Sequence, residues 1–559
     1  MKKTLIYGFL AVAFPLMTAC SDSYLDLEPE NQVTPETMFQ KPSDAQYAIN
    51  GIGRLMVSQY NGTQGLNGEG TMLLYYGEYP GSGTMKSDLT GWSSLINSTW
   101  NTNATSTNNV FPWSYCYRII GNANLVISSI PDLDGMDESL KEEWGYIKAQ
   151  ALVYRAHSYL RLVQIYSRRW SDSNGTSRGV VLRLDRSTDP KPCSTLKEVY
   201  DQIYADLDEA ITLFKNSSEK RSDTWLPSEE VAHAVYSRAA LTREDWAKAS
   251  SEAKLACAKS KLMTQAQYEA GFNTPNDEWI WCAYNSSQQD IYYYSFFSYC
   301  ASNATSSSNR TYPLEISRQV VEKINPADTR LKLYAIPTAD EMPVSLENVV
   351  GAGKALFTDE DDLKDLQDAL AKETDPKKQA QLQGQIDNVE PINKFYNRIR
   401  TKGGFLNGRI VSNGTLYYYH ATKFQNLSNP GVGQVLMYRM AEMLYNEAEA
   451  EFKLGNETAA IAALEKATQP YQPDYTCTLS GDALYEEICN YRAFDLWGEG
   501  HSWYDMKRRG ETLNRKGWTE GGNWNSVFAI EQTPTAANNW TKVIPQLETN
   551  YNEFVTAFE

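Results

Sequence analysis

Aromatic side chains in polar, loop-like surroundings are the residues of this sequence whose type and spacing best suit ligand binding. The chain has 36 Tyr and 14 Trp among its 559 residues. Trp92 and Trp100 lie in a stretch rich in Gly, Ser, Thr and Asn, and Tyr292–Tyr294 precede a Ser/Asn run. An amphipathic ring in a polar loop suits a wet binding surface. A buried core position stays the alternative for each ring, because Trp is usually largely buried.

The residues that catalysis most often uses do not form a recognisable motif. The four histidines, His157, His233, His420 and His501, are scattered, and no HExxH sequence occurs. No nucleophile elbow is present, and Gly351–Lys354 lacks the spacing of a phosphate-binding loop. We therefore expect a protein that is not an enzyme and has no cofactor or metal site, although the abundant Asp and Glu residues leave a catalytic carboxylate pair open.

The net charge argues against long contacts with nucleic acid. The sequence has 52 Lys and Arg against 69 Asp and Glu, a formal charge of −17. Contacts with phosphates need clustered basic residues, and the basic run is Lys507–Arg509. We therefore expect no nucleic-acid partner. The hydrophobic content of 42% is enough for a sizeable core.

The N-terminus has the pattern of an export signal that ends at an acylated cysteine. Two lysines precede the apolar run Leu5–Leu16, which is too short to span a bilayer. Thr18-Ala19-Cys20 then resembles a bacterial lipobox, in which the chain is cut before the cysteine and the thiol is acylated. A conventional signal peptide is the alternative. On the lipobox interpretation, residues 1–19 are removed, and residues 20–33 form the anchor and a polar tether.

The other seven cysteines are spaced too widely for a zinc site or a CxxC motif. Cys116 and Cys257 lie in helical patterns, where we expect small core residues. Cys282 and Cys300 could form a loop disulfide, and the sequence leaves this open.

A helix pair over Tyr438–Ala467 indicates the architecture. A first set of apolar residues shares one helix face, the pair Gly455-Asn456 breaks the pattern, and a second set restarts it. The two sets are Leu444, Ala448 and Phe452, and then Ala460, Ile461, Leu464 and Ala467. This order is typical of one tetratricopeptide unit, and an ordinary antiparallel helix pair is the alternative. Because a single unit cannot bury its own apolar face, other helices must stack on it.

Similar helical periodicity recurs along the chain and predicts a mostly α fold, an α-superhelix of such pairs with long loops and a few short strands. The predicted helices are 35–60, Phe111–Ile130, Asp137–Tyr166, Thr195–Phe214, Ser228–Leu241 and Glu244–Lys259. The predicted loops are Gly62–Asn109 and Tyr268–Arg310, the second of which includes a short strand at Trp279–Tyr284. An acidic insertion, 339–391, predicts a solvated helical hairpin. Loose alternation over Lys394–Lys423 favours strands.

Three of these stretches match helices of a known family. Thr195–Ala210 resembles its T-x-x-E-V-Y-x-x-I-x-x-D-L-x-x-A helix, and Ala149–Leu160 resembles its A-x-A-x-x-x-R-A-x-x-Y helix. Phe494–Arg508 resembles its C-terminal E-G-x-R-x-x-D-L-x-R motif. With the lipobox and the helix pair Tyr438–Ala467, the chain resembles the SusD/RagB family of Bacteroidetes surface lipoproteins. The resemblance covers essentially the whole mature chain, so we expect residues 34–559 to form a single domain.

Two positions depart from the family pattern. Ser502 stands where the family usually has Arg, and Tyr491 stands where Glu often precedes Arg492. The family uses these positions structurally. The departures put in doubt a buried Glu–Arg pair near the C-terminal helix.

The resemblance implies an outer-membrane lipoprotein at the cell surface that captures a glycan without catalysis. It also implies a partner, a SusC-like TonB-dependent outer-membrane transporter that the protein caps as a lid. Rings can cover the C–H face of a sugar while Asn, Asp and Arg bind its hydroxyls. The candidate ligand-binding residues are Asp88, Trp92, Trp100, Asn101, Trp281, Tyr292, Tyr293 and Tyr294. The alternatives are a peptide-capturing lid like RagB and a non-catalytic scaffold.

Overall fold

The computed structural model describes eleven ranges of the chain, and helices dominate them. The ranges are 39–61, 65–86, 102–286, 296–302, 314–343, 354–356, 360–400, 411–412, 415–426, 432–533 and 540–558. The strands in these ranges are short and form small separate sheets. The mostly α prediction is therefore confirmed. Across the same ranges, every helix is too short or too polar to cross a bilayer.

The first half of the described chain contains nine α-helices and one π-helix. They are α1 (Pro42–Leu55), α2 (Gly68–Thr71), which continues into the π-helix Met72–Glu78, α3 (Thr107–Ser129), α4 (Glu138–Tyr166), α5 (Leu196–Lys215), α6 (Glu229–Thr242), α7 (Trp246–Ala256), α8 (Gln265–Tyr268) and α9 (Phe296–Cys300).

Eight more helices follow in the described part of the second half. They are α10 (Arg318–Val321), α11 (Glu360–Lys372), α12 (Pro376–Arg400), α13 (Met440–Lys453), α14 (Glu457–Thr468), α15 (Gly481–Asp495), α16 (Ser502–Arg509) and α17 (Gln546–Thr549).

The strands pair in antiparallel fashion. They are β1 (Thr84–Lys86), β2 (Trp279–Ala283), β3 (Leu314–Ile316), β4 (Lys354–Leu356), β5 (Val411–Ser412), β6 (Thr415–Tyr417), β7 (Val435–Arg439), β8 (Leu513–Asn514) and β9 (Glu531–Gln532). β1 pairs with β3, β2 with β7, β6 with both β4 and β5, and β8 with β9. The strand predicted at Trp279–Tyr284 is confirmed as β2.

The helices stack in chain order, and each one contacts mainly its neighbours. α3 packs on α4, α4 on α5, α5 on α6, α6 on α7, α7 on α13, and α13 on α14 and α15. We call this series the helical stack. Such nearest-neighbour packing is the pattern of an α-solenoid.

Helix α4 lies at the centre of the stack, and nearly every residue from Trp144 to Tyr166 is buried. A helix that is buried on all sides must pair its polar groups inside the protein. The Arg155 guanidinium on α4 donates two hydrogen bonds to the Asp206 carboxylate on α5, at 2.8 and 2.6 Å. This ion pair fixes the register of α4 against α5.

Local sequence signals position the helices of the stack where they were expected. The Thr195 hydroxyl accepts a hydrogen bond from the Glu198 N–H, and the Glu198 carboxylate accepts one from the Thr195 N–H. This capping box starts α5. Between α13 and α14, Gly455 adopts φ +82°, and Ala448 and Ala460 are fully buried at the helix contact. The predicted tetratricopeptide-like pair is thereby confirmed.

The structure corrects several predicted boundaries. The predicted loop Gly62–Asn109 includes α2 and the π-helix Met72–Glu78, all buried. Helix α1 ends at Leu55, five residues before the predicted end. Because α12 continues to Arg400, the prediction of strands from Lys394 is wrong for 394–400, and the described strands of that stretch are β5 and β6. The helical hairpin predicted within 339–391 is confirmed as α11 and α12.

No disulfide joins the cysteines of the described ranges. Cys282 and Cys300 are both buried and do not form the disulfide that the sequence left open. Cys116 is buried, as expected for a small core residue, and Cys257 is half-buried.

Candidate ligand-binding site

Most of the predicted ligand-binding residues fall outside the described ranges. Asp88, Trp92, Trp100 and Asn101 lie in residues 87–101, which we call the first rim segment. Tyr292, Tyr293 and Tyr294 lie in residues 287–295, the second rim segment. Their role in binding stays a prediction. The described residues next to the two segments show how the chain is held just before and just after them.

Trp281 does not belong to a binding surface. Its exposed fraction is 0%, and its indole N–H donates a 3.0 Å hydrogen bond to the Trp225 carbonyl. Its ring stacks on Tyr438 and meets the edge of His157, with ring centroids 5.9 and 5.1 Å away. The prediction that Trp281 contacts a ligand is therefore wrong. The ring faces the core because β2 is buried along its whole length.

Tyr284 is the exposed ring in this region that the sequence analysis missed. It follows β2, three residues before the second rim segment, and 40% of it is exposed. Its ring packs at 5.8 Å against the half-buried ring of Trp225. Its position in the sequence could have indicated this exposure. Tyr284 is the first residue after the buried strand β2, where the chain leaves the core.

The first rim segment starts at the end of β1, and β1 is held by β3. The Ser317 N–H donates to the Gly83 carbonyl at 2.8 Å, directly beside this pairing. Buried donors from distant parts of the chain also hold the preceding turn. The Arg515 guanidinium donates to the carbonyls of Tyr79, Pro80 and Gly81, and the Trp497 indole N–H donates to Gly83. The residues that lead into the segment are therefore rigidly placed.

The second rim segment lies between β2 and α9. On the β2 side, the Asn285 N–H donates to the Gln434 side chain at 3.1 Å, and Gln434 donates back to the Asn285 carbonyl. On the α9 side, the Phe296 ring meets the edge of the Phe424 ring at 5.4 Å. The Ser302 N–H also donates to the Phe424 carbonyl at 2.8 Å.

One stretch of chain, residues 417–426, joins these two anchor regions. Its Tyr419 carbonyl accepts from the Ile316 N–H on β3, and its Ala421 N–H donates to the Leu314 carbonyl. The Phe424 contacts described above connect the same stretch to α9. We call residues 417–426 with β1, β2, β3, β7 and α9 the rim framework. Both rim segments therefore start or end on one connected set of residues.

A buried network of charged groups holds the rim framework together. The Arg439 guanidinium, at the end of β7, contacts the carboxylates of Glu278, Asp495 and Glu499 at 2.7, 2.7 and 2.8 Å. The Lys423 ammonium donates to the Asp495 and Trp497 carbonyls and to Glu499. Burial would raise the pKa of Asp495, but neighbouring cations hold it well below its usual range. Buried ion pairs of this kind specify one arrangement more than they add stability.

Glu78 connects the π-helix to the start of β1. Its carboxylate accepts from the Thr84 hydroxyl at 2.9 Å and from the N–H groups of Gly500 and His501 at 2.7 and 3.0 Å. Burial raises the pKa of Glu78 to about 7 despite these hydrogen bonds. The π-helix also packs closely against the backbone at Gly500. A Cβ built on Gly77 would come within 2.4 Å of the Gly500 carbonyl oxygen.

A second carboxylate, Glu69 on α2, connects the π-helix region to the helical stack. It accepts from the Tyr115 hydroxyl at 3.0 Å, and His157 and Arg161 on α4 contact it at 3.2 and 3.4 Å. Burial alone would raise the pKa of Glu69, but the charges of His157 and Arg161 and the hydrogen bonds lower it to about 2. Glu69 is therefore ionised at neutral pH.

A cavity of about 420 Å³ lies beside the turn before β1, and Glu78, Ser82 and Asp505 are among its lining residues. Asp505 accepts hydrogen bonds from Arg492 and Arg508 at 2.6 and 2.9 Å. The hydrogen-bonding oxygens of both carboxylates are therefore already occupied by protein donors. This arrangement suits a structural role better than acid–base catalysis. In the described ranges, no cluster of three His, Cys, Asp or Glu residues could hold a metal ion.

One of the two departures from the family pattern has a local explanation. A Cβ on Gly81 would lie 2.1 Å from the Ser502 hydroxyl oxygen, which also accepts a hydrogen bond from the Gly83 N–H. A small residue at 502 therefore suits this contact. A buried Glu–Arg pair does occur beside the C-terminal helix, but other residues form it, since Glu449 and Arg508 meet at 2.5 Å.

Comparison with known proteins identifies the family. A model described as "SusD family" matches residues 247–555, and a second, described as "Starch-binding associating with outer membrane", matches residues 23–241. The chain belongs to the SusD family. Two curated SusD-like proteins of Formosa agariphila, P2 and P38, are 27% and 24% identical over 239 and 212 residues. These alignments span 43% and 37% of each chain, so they cover less than half of either relative.

Solved structures with the SusD fold match nearly the whole chain. A SusD-like carbohydrate-binding protein from Bacteroides vulgatus aligns with a TM-score of 0.68 and 20% identity, covering 92% of this chain and 98% of that one. A SusD superfamily protein from Bacteroides thetaiotaomicron aligns with a TM-score of 0.67 and 20% identity, covering 93% and 100%. At this identity the likeness shows the fold.

Proposed function

We propose that this SusD-family protein captures a glycan at the cell surface and delivers it to a SusC-like TonB-dependent outer-membrane transporter. Family membership supports this proposal. So does the match of residues 23–241 to the family described as "Starch-binding associating with outer membrane". The similar protein from Bacteroides vulgatus is described as carbohydrate-binding. Binding without catalysis also agrees with the cavity carboxylates Glu78 and Asp505, whose oxygens accept protein hydrogen bonds.

The observation that carries the proposal is the shared anchoring of the two rim segments. Trp92, Trp100 and Asn101 belong to a segment that leaves β1, and Tyr292–Tyr294 belong to a segment that enters α9. Residues 417–426 bond to the anchor of each segment, and we infer that rings from both segments bind one ligand. A preorganised framework lowers the entropic cost of binding. Tyr284 adds an exposed ring to the same rim.

We further propose that Cys20 carries the lipid anchor that holds the protein at the outer membrane. The motif Thr18-Ala19-Cys20 supports this. Labelled palmitate should appear on the wild-type protein and be absent from Cys20→Ala. Incorporation that persists in Cys20→Ala would contradict the anchor while leaving ligand capture untouched.

The decisive experiment substitutes Trp100→Ala and measures glycan binding by calorimetry. We expect about a 30-fold loss of affinity, typical for a central aromatic contact, with an unchanged melting temperature. Trp281→Ala is the matched control, and it should lower the melting temperature because that ring is fully buried. If Trp100→Ala unfolds the protein, or binds glycan as wild type does, Trp100 is not a ligand contact.

The ligand class needs a parallel screen of glycans and peptides. Binding of peptides without any glycan would replace the proposal with a peptide-capturing lid. Delivery is tested by co-purification, since a tagged copy should retain the transporter after mild detergent extraction. If the transporter does not co-purify, the proposed delivery step is contradicted, and only the proposed ligand capture remains.

A further inference from the structure

A second cavity, of about 520 Å³, lies on the outer face of α3, and we call it the α3 groove. Its walls are α3, the loop 183–188 and α17. Its lining includes Ser114, Tyr117, Gly121, Arg186, Leu547 and Glu548. This volume is in the usual range for a small-molecule site, about 300–1,000 Å³.

One stripe of α3, which includes the small residues Ser114 and Gly121, forms the floor of the groove. Ser114, Tyr117, Gly121 and Leu125 recur at helical spacing and line it, whereas Phe111 and the residues in register with it pack into the core. Gly121 has an ordinary helical conformation, and a Cβ built on it would meet no atom within 4 Å. The groove is therefore open above Gly121.

The carboxylates of the groove are already paired within the protein. Glu548 accepts from the Trp113 indole N–H and the Arg183 guanidinium, both at 3.3 Å, and from the Asn552 side chain at 2.7 Å. Asp185 accepts from the Ser187 N–H at 2.9 Å and forms an ion pair with Lys191 at 3.1 Å. Neither carboxylate is left as a strong free acceptor for a ligand.

Unpaired donors remain. Arg186 is exposed and lines the groove, and no hydrogen bond or ion pair of its side chain occurs within the described residues. The Ser114 hydroxyl is also buried without a partner there. Tyr117 on α3 and Leu547 on α17 supply apolar surface to the same groove. A ligand that fits must combine an apolar ring face with strong hydrogen-bond acceptors, and above all with an anionic group for a guanidinium.

We propose that the α3 groove is a binding site for a uronic acid, a sugar whose carboxylate contacts Arg186 and whose ring face packs on Tyr117 and Leu547. The local contact with Arg186 must outweigh the formal charge of −17 on the whole chain. The described residues that line the groove all lie outside the rim framework, so we propose this site separately from the capture of a glycan at the rim.

The test titrates the mature chain with digalacturonate and with its uncharged counterpart, galactobiose. Wild type should bind digalacturonate about tenfold more tightly than galactobiose, the gain expected from one charge-assisted contact. Arg186→Gln should remove this preference. Arg54→Gln, an exposed arginine on α1, is the matched control and should retain it. Equal binding of the two sugars by wild type, or no binding, overturns the proposal.

A filling variant tests the location. Gly121→Phe places a ring in the open groove and should abolish digalacturonate binding without unfolding α3. Gly51→Phe on α1 is the matched control, because a Cβ on Gly51 also meets no atom within 4 Å. Circular dichroism should show both variants folded, and Trp100→Ala should bind digalacturonate as wild type does. If Gly121→Phe still binds it, or if Trp100→Ala alone abolishes binding, the groove is not the site.

Discussion

The helical stack and the rim framework are held together by different forces. In the stack, each helix satisfies its own backbone hydrogen bonds, and small buried residues such as Ala448 and Ala460 let apolar faces meet. In the rim framework, strands of three to five residues pair few backbone groups with one another. Side chains complete those bonds instead, as when Arg515 donates to three successive carbonyls.

This difference explains where a binding site can be built. A regular stack offers uniform apolar contacts, and it tolerates small changes of packing one helix at a time. The rim framework supplies the irregular backbone that flanks both rim segments in the chain. Buried charges hold it, since Arg439 joins the end of β7 to Glu278 and Asp495, and Lys423 joins residues 417–426 to Glu499. We therefore expect the rim framework to fail abruptly when one charge is removed, and the stack to lose stability in smaller steps.

The largest effect is expected for Arg439→Met. The substitution leaves Glu278, Asp495 and Glu499 without their shared cation in a buried site. Breaking a buried pair in this way typically costs about 3–5 kcal/mol. Urea denaturation should show this loss of unfolding free energy, and glycan affinity should fall with it. Arg54→Met removes an exposed arginine and should change stability by less than about 0.5 kcal/mol. A similar small change for Arg439→Met would show that the network does not hold the rim framework.

The sequence predicted the stack far better than the rim framework, and the reason is the range of the interactions. Local signals such as the Thr195 capping box and the Gly455 turn lie within a few residues of the helices that they start or end. The contacts of the rim framework join distant positions, for example Ser302 with Phe424. No local periodicity reveals such pairs.

Residue type alone could not separate a binding ring from a core ring. Trp281 and Tyr284 are three residues apart, yet one is fully buried and the other is 40% exposed. The π-helix Met72–Glu78 was missed for a related reason. Its own sequence, MLLYYGE, is short and has glycine-rich residues on both sides, which are typical of a loop, and tertiary contacts bury it.

A smaller effect is expected in the stack for Leu207→Ala. Leu207 on α5 is fully buried, so truncation leaves a cavity and should cost about 3 kcal/mol. Leu255→Ala is the control, because that side chain is 46% exposed and its loss should cost less than about 0.5 kcal/mol. Glycan affinity should be unchanged in Leu207→Ala at temperatures where it is folded. A parallel loss of affinity would show that the stack and the rim framework are not separable.

The smallest and most specific effect concerns pH. The folded-state pKa of Glu78 is about 7, above its ordinary value of 4.5, so the folded protein binds more protons than the unfolded chain between these pH values. Glu78 therefore costs stability progressively as pH rises from 4.5 to 7, and the full cost, at most about 3 kcal/mol, is present above pH 7. Glu78→Gln keeps the shape and cannot ionise, so its stability advantage over wild type should grow through this window and then level off.

Glu69 should behave in the opposite way. Its pKa is lowered to about 2, so its stabilising effect is complete above pH 4.5 and is lost as pH falls towards 2. Glu69→Gln should be less stable than wild type at neutral pH, and that deficit should shrink on acidification. Unfolding free energies of both variants across pH 2–8 check these signs together. Two parallel curves would contradict the distinction, because Glu69 is tied to a cation of the stack and Glu78 is held mainly by neutral donors of the rim framework.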